Sequence, residues 1–135
     1  MRSFAFASLC LLLSACGGED FRVLPARPEL VEVELDDTGY RLSFLIPGPD
    51  WRRVESDFKG FIYGNGDRTL RVAILLKRDR YEASEAAARA MPGMEIRAFE
   101  PGTPWPFVGI VVAYRGPPDD ALLKAFQASF KVERR

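Results

Sequence analysis

The chain of 135 residues reads as an α+β protein: a mostly antiparallel, twisted, six-stranded sheet in the order ββββ-α-ββ-α, with two helices packed on it. Three features predict this class. The first half holds two pairs of strand-like segments, three of them with period-two alternation and one aromatic-rich, each pair joined by a glycine-bearing turn. An alanine-rich helical stretch then stops at Pro92-Gly93, and a nearly all-apolar run, Val108 to Tyr114, is followed by a segment with helical apolar spacing.

Taken in order, Leu30 to Leu35 puts Val31, Val33 and Leu35 on one face and Glu32 and Glu34 on the other, as a half-buried strand requires. Asp36-Asp37-Thr38-Gly39 is turn chemistry, with a glycine that can take positive φ. Tyr40, Leu42, Phe44 and Ile46 then share the core face of a second strand, which Pro47-Gly48-Pro49-Asp50 ends just before Trp51. Phe58 to Tyr63 is an aromatic-rich third strand. Gly64-Asn65-Gly66-Asp67 follows, and its Asn-Gly pair suits a type I′ hairpin turn. In the fourth strand Leu70, Val72, Ile74 and Leu76 face inward, with Arg71 and Lys77 opposed.

The first helix is predicted between about Tyr81 and Met91, capped by Asp79 with Glu82 or by Ser84. Ala83, Ala86, Ala87 and Ala90 fall at i, i+3, i+4 and i+7, a small-residue stripe expected to lie close against the sheet. Met94 to Phe99 is the fifth strand. Val108 to Tyr114 is the sixth, read as central and buried on both faces. Asp119 caps the last helix, whose stripe is Leu122, Leu123, Phe126 and Phe130. No internal repeat is present, and the length suits a single domain.

The amino terminus carries a separate message. Arg2 precedes the apolar run Phe4 to Leu13, and small residues then lead to a cysteine, the layout of a secretory signal. Leu13-Ser14-Ala15-Cys16 resembles the lipobox of bacterial lipoproteins. That resemblance implies cleavage between Ala15 and Cys16 and acylation of the Cys16 thiol and its new amino terminus. It divides the chain into a signal peptide (1–15), a lipid-anchored tether (16–28) and one domain (29–135). Two other readings stay open. A retained membrane span would need roughly 20 apolar residues, more than the uncharged stretch from Ser3 to Gly18 supplies. An ordinary export signal would leave Cys16 a bystander. In lipoproteins of this kind the residue after the cysteine influences sorting. Gly17 is not the aspartate that favours inner-membrane retention, so the expected location is the bacterial cell envelope, at the outer membrane facing the periplasm.

Without residues 1–15 the chain has 18 basic and 19 acidic side chains, no thiol beyond Cys16 and no histidine. Near-neutrality argues against nucleic acid as a partner. Zinc prefers Cys and His ligands, and the glycine loop at Gly64-Asn65-Gly66-Asp67 has too few spaced oxygens for calcium, so no metal and no cofactor are expected. A nucleophile usually needs histidine as its base. Ser–Lys variants need the two side chains brought together, and the serines and lysines here are not read as such a pair. Paired carboxylates could serve a hydrolase, but Asp36-Asp37 and Asp119-Asp120 are explained by a turn and a helix start.

Tyr40-Arg-Leu-Ser-Phe-Leu-Ile-Pro47 followed by Trp51 resembles the opening strand of the PsbP-like family of α/β/α sandwiches, and Leu122 to Lys131 its closing helix. The resemblance implies a non-enzymatic binding or assembly module. With the lipid anchor, it implies a membrane-held domain whose partner is another envelope protein. Trp105 and Phe107, in the proline-rich segment Pro101 to Phe107, and Trp51 are the candidate partner-binding residues. Each could instead be core, Trp51 most readily. The alternative function is a small-ligand-binding envelope domain with a pocket between sheet and helices, with carboxylate-dependent hydrolysis as its enzymatic form.

Overall fold

A computed structural model describes residues 21–23 (as backbone), 30–35, 38–54, 60–102 and 107–134. Within them lie nine strands and two helices: β1 (Phe21–Val23), β2 (Leu30–Leu35), β3 (Tyr40–Leu45), β4 (Arg52–Arg53), β5 (Phe61–Asn65), β6 (Arg68–Leu75), α1 (Arg78–Arg89), β7 (Glu95–Phe99), β8 (Gly109–Arg115), α2 (Asp120–Ala128) and β9 (Lys131–Arg134). The α+β class is as expected, and every pairing is antiparallel. The single six-stranded sheet is not what forms. The strands divide into a four-stranded sheet, β1-β2-β3-β9, and a five-stranded sheet, β4-β5-β6-β8-β7.

The division follows from where the apolar faces go. Val33, Leu35, Leu42 and Phe44 of the first sheet are fully buried against Phe61, Leu70, Val72, Ile110 and Val112 of the second. A hairpin with one apolar face can bury it by joining a sheet edge or by stacking on a second sheet, and stacking removes more apolar area from water. Phe44 sits at the centre of the interface. Its ring stacks on Phe130 at 4.6 Å and meets Phe61 and Phe126 edge-on at 5.6 and 5.8 Å. Through Leu123 and Phe126, α2 thus contributes to the core between the sheets. Phe130, expected on the helix stripe, joins that core from just beyond the helix, and the chain then pairs β9 with β3.

The five-stranded sheet is covered on its other face as well. Ala73, Ile96, Val111 and Ala113 form a second core with Tyr81 and Ala88 of α1. β8 is therefore buried from Gly109 through Tyr114, as its unbroken apolar run predicts. The side of α1 that packs differs from the expected one. Tyr81 and Ala88 are buried, whereas Ala83, Ala86, Ala87 and Ala90 are exposed. The bulky ring decides the rotation: Tyr81 lies on Gly109, the β8 position with no side chain to exclude it. The start of the helix differs too. Its N-cap is Lys77, with no side-chain cap, and the Asp79 carboxylate accepts from the Arg80 amide at 2.9 Å.

The hairpin between β5 and β6 turns one residue later than its Asn-Gly pair suggests. Asn65 still pairs with Arg68, and Gly66-Asp67 forms the two-residue loop with Gly66 at φ 63°. Asp119 caps α2 as expected, accepting from the Leu122 amide at 3.1 Å.

Candidate functional site

The residues chosen from sequence are dispersed. Ala15, Cys16 and Trp105 lie outside the described residues, as do Asp36 and Asp37. Trp51 is in the core at 5% exposure, its amide donating to the Gly48 carbonyl at 3.1 Å and its ring beneath the Arg68 guanidinium at 5.3 Å. Phe107 is half-buried. It meets Tyr81 edge-on at 5.7 Å and lies under Arg78 at 4.6 Å, so it packs on the first turn of α1. Trp51 and Phe107 do not share a surface, because they belong to the two different cores on either side of the five-stranded sheet.

The acidic pair at the start of α2 is engaged elsewhere. Asp119 pairs with Arg68 at 2.6 Å while capping the helix. Arg68 in turn donates to the Tyr114 hydroxyl at 3.2 Å, and that hydroxyl donates to the Pro117 carbonyl at 2.6 Å. This network ties the start of β6 to the end of β8 and to α2. Asp120 sits between Lys124 at 3.2 Å and Arg97 at 2.7 Å. The hydrogen bond from Lys124, then the charges of Lys124 and Arg97, hold its carboxyl below the usual carboxylate range. A general acid needs the opposite shift. Among the described residues, no group of three or more Cys, Asp or Glu side chains converges to hold a metal.

Ser56-Asp57-Phe58-Lys59 places a serine and a lysine three apart, as in Ser-x-x-Lys nucleophiles. Ser56 through Lys59 lie outside the described residues.

Among the described residues, a groove of about 230 Å³ lies between α1 and the outer face of the five-stranded sheet. Arg71, Ala73, Val111 and Ala113 line it from the sheet, Ser84, Ala87 and Ala88 from α1, and Met91 from just beyond the helix. Its cause is steric. The approach of a helix to a sheet is limited by the largest side chain between them, here Tyr81, so alanines facing alanines further along leave space unfilled. Of the alanine stripe expected to lie close against the sheet, only Ala87 lines this groove.

The outer face of the four-stranded sheet is charged. In register, Glu34 stands opposite Arg41 and Arg41 opposite Glu133, and Arg41 pairs diagonally with Glu32 at 3.2 Å. Alternating signs across strands suit a solvated face.

No family model, no curated protein and no solved structure matches the chain.

Proposed function

We propose that this chain is an envelope lipoprotein whose residues 1–15 are removed and whose Cys16 carries lipid, so that the domain acts where it is held. Its role is non-catalytic, as a binding or assembly module for another envelope protein. The observation that carries this reading is the apolar run Phe4 to Leu13 closing on Leu13-Ser14-Ala15-Cys16. Several acyl chains, at about 0.8 kcal/mol per buried CH₂, make detachment negligible. A non-catalytic role is supported by the lack of histidine and by the engagement of Asp119 and Asp120 in ion pairs. The finer fold assignment, a PsbP-like sandwich, is supported by the sequence stretch Tyr40–Pro47 leading to Trp51 and by the resemblance of the stretch Leu122–Lys131, of which α2 forms the part up to Ala128.

Crosslinking the protein in its native envelope and identifying the attached species tests the partner. Trp105→Ala is expected to weaken that capture with the melting temperature nearly unchanged, whereas a large melting drop would make Trp105 core. Mass spectrometry showing an unmodified Cys16 on the native product removes the anchor.

The groove favours a second reading, binding of a small ligand against Arg71 and Ser84. Its volume is somewhat larger than the roughly 150 Å³ apolar cavity that holds benzene. Saturable uptake of a small amphiphile, lost on Ala88→Leu, would support it.

A further inference from the structure

Residues 16–28, expected to be an extended tether, include a strand of the four-stranded sheet. Phe21, Arg22 and Val23 form β1, paired with Leu35, Glu34 and Val33. Only Cys16 to Phe21 is left to span the distance to the lipid. At about 3.3–3.6 Å per residue the reach is at most about 18 Å, against about 45 Å had the domain begun at residue 29.

The register shows which end of the four-stranded sheet receives this leash. Phe21 stands opposite Leu35, Leu35 opposite Tyr40, and Tyr40 opposite Arg134. The start of β1, the β2–β3 turn at Thr38-Gly39 and the end of β9 therefore share one end of the sheet. Leu30 and Leu45, opposite each other, mark the other end, about 17 Å away for strands rising about 3.4 Å per residue. Fully stretched, the leash is about as long as the sheet is tall, so it starts at one end of the sheet and at most only just reaches past the other. At the near end Arg134 is exposed, its guanidinium 5.4 Å above the Tyr40 ring and 3.4 Å from the Tyr40 hydroxyl. An arginine on a tyrosine is the amphipathic chemistry of a headgroup layer.

We infer, resting on the reading of Cys16 as the lipidated residue, that the Tyr40–Arg134 end of the four-stranded sheet is held at the phospholipid headgroups. The exposed Leu45 end points into the aqueous space. The surface that meets the bilayer is thus set by β1.

The test uses the full chain, processed in a Gram-negative host and reconstituted in phosphatidylethanolamine–phosphatidylglycerol vesicles containing a nitroxide-headgroup lipid. Single cysteines replace two exposed residues, Glu133→Cys near the leash and Leu45→Cys far from it, each labelled with a fluorescent maleimide. Quenching is expected to be several-fold stronger at position 133 than at 45. A Gly/Ser insert of a dozen residues between Gly18 and Glu19 is expected to bring the two together. Equal quenching, or stronger quenching at 45, overturns the orientation. The unsubstituted chain separates the two ideas. Acylated, it has no thiol and takes no maleimide, whereas labelling at Cys16 would overturn the anchor itself and the orientation with it.

Discussion

Gly109→Ala adds one methyl group at the point that sets the rotation of α1. A β-carbon there would lie 2.6 Å from Tyr81 Cγ and 3.0 Å from Tyr81 Cβ. Relaxed carbon pairs stand about 3.5–4.0 Å apart. Neither atom is the far end of a flexible side chain, so relief requires α1 to move outward by on the order of 1 Å. Overpacking of this sort costs about 1–3 kcal/mol. Moving α1 also loosens Ala88 on the sheet, which places the expected loss at the upper end of that range. For a domain near 100 residues this lowers Tm by about 10 °C or more. Urea denaturation should show the midpoint falling with the m-value unchanged. Tyr81→Ala alone should cost about 3 kcal/mol or more through the cavity it leaves. In the Tyr81→Ala background the added methyl should cost little, giving a coupling of about 2 kcal/mol. Gly109→Ala within about 0.5 kcal/mol of the parent, or strict additivity in the cycle, would refute the packing of Tyr81 on β8.

Three more expectations concern the cores and the cap. Trp51→Ala should lower stability by about 3–5 kcal/mol, because its ring is core and not surface. A shift of a few tenths in a thermal melt would return Trp51 to the list of binding residues. Asp119→Ala removes both the α2 cap and the partner of Arg68, and should cost about 1–2 kcal/mol or slightly more, with Asp119→Asn recovering part of it. Equal stability of the two variants would mean that the cap contributes nothing. Burial, offset in part by Arg53, pushes the Tyr63 phenol up to about 12 from 10.0. The native state therefore favours the protonated form. Its contribution is intact below pH 10 and is lost as pH rises from about 10 to about 12, where the unfolded phenol ionises first, for about 2–3 kcal/mol. Tyr63→Phe should flatten that alkaline limb in urea titrations, and an unaltered limb would argue against a buried phenol.

What the amino-acid sequence determined by itself is what local pattern can carry. Period-two alternation placed β2 and β3, and β6 to within two residues, because strand faces repeat regardless of partners. The unbroken apolar run of β8 announced a strand covered on both faces, and Asp119 announced the start of α2. Strand partners are another matter. Nothing local distinguishes a hairpin that extends a sheet from one that stacks on it, and that choice came from joining Val33, Leu42 and Phe44 to apolar faces distant in sequence. The short strands β1, β4 and β9 have too few residues to show a period, and pairing with longer neighbours defines them. The rotation of α1 likewise depended on Gly109, some twenty residues beyond the helix, admitting the ring of Tyr81. The groove beside it exists only because two alanine surfaces were held apart by that ring. Such contacts are fixed by volume and by what lies opposite, and a sequence window sees neither.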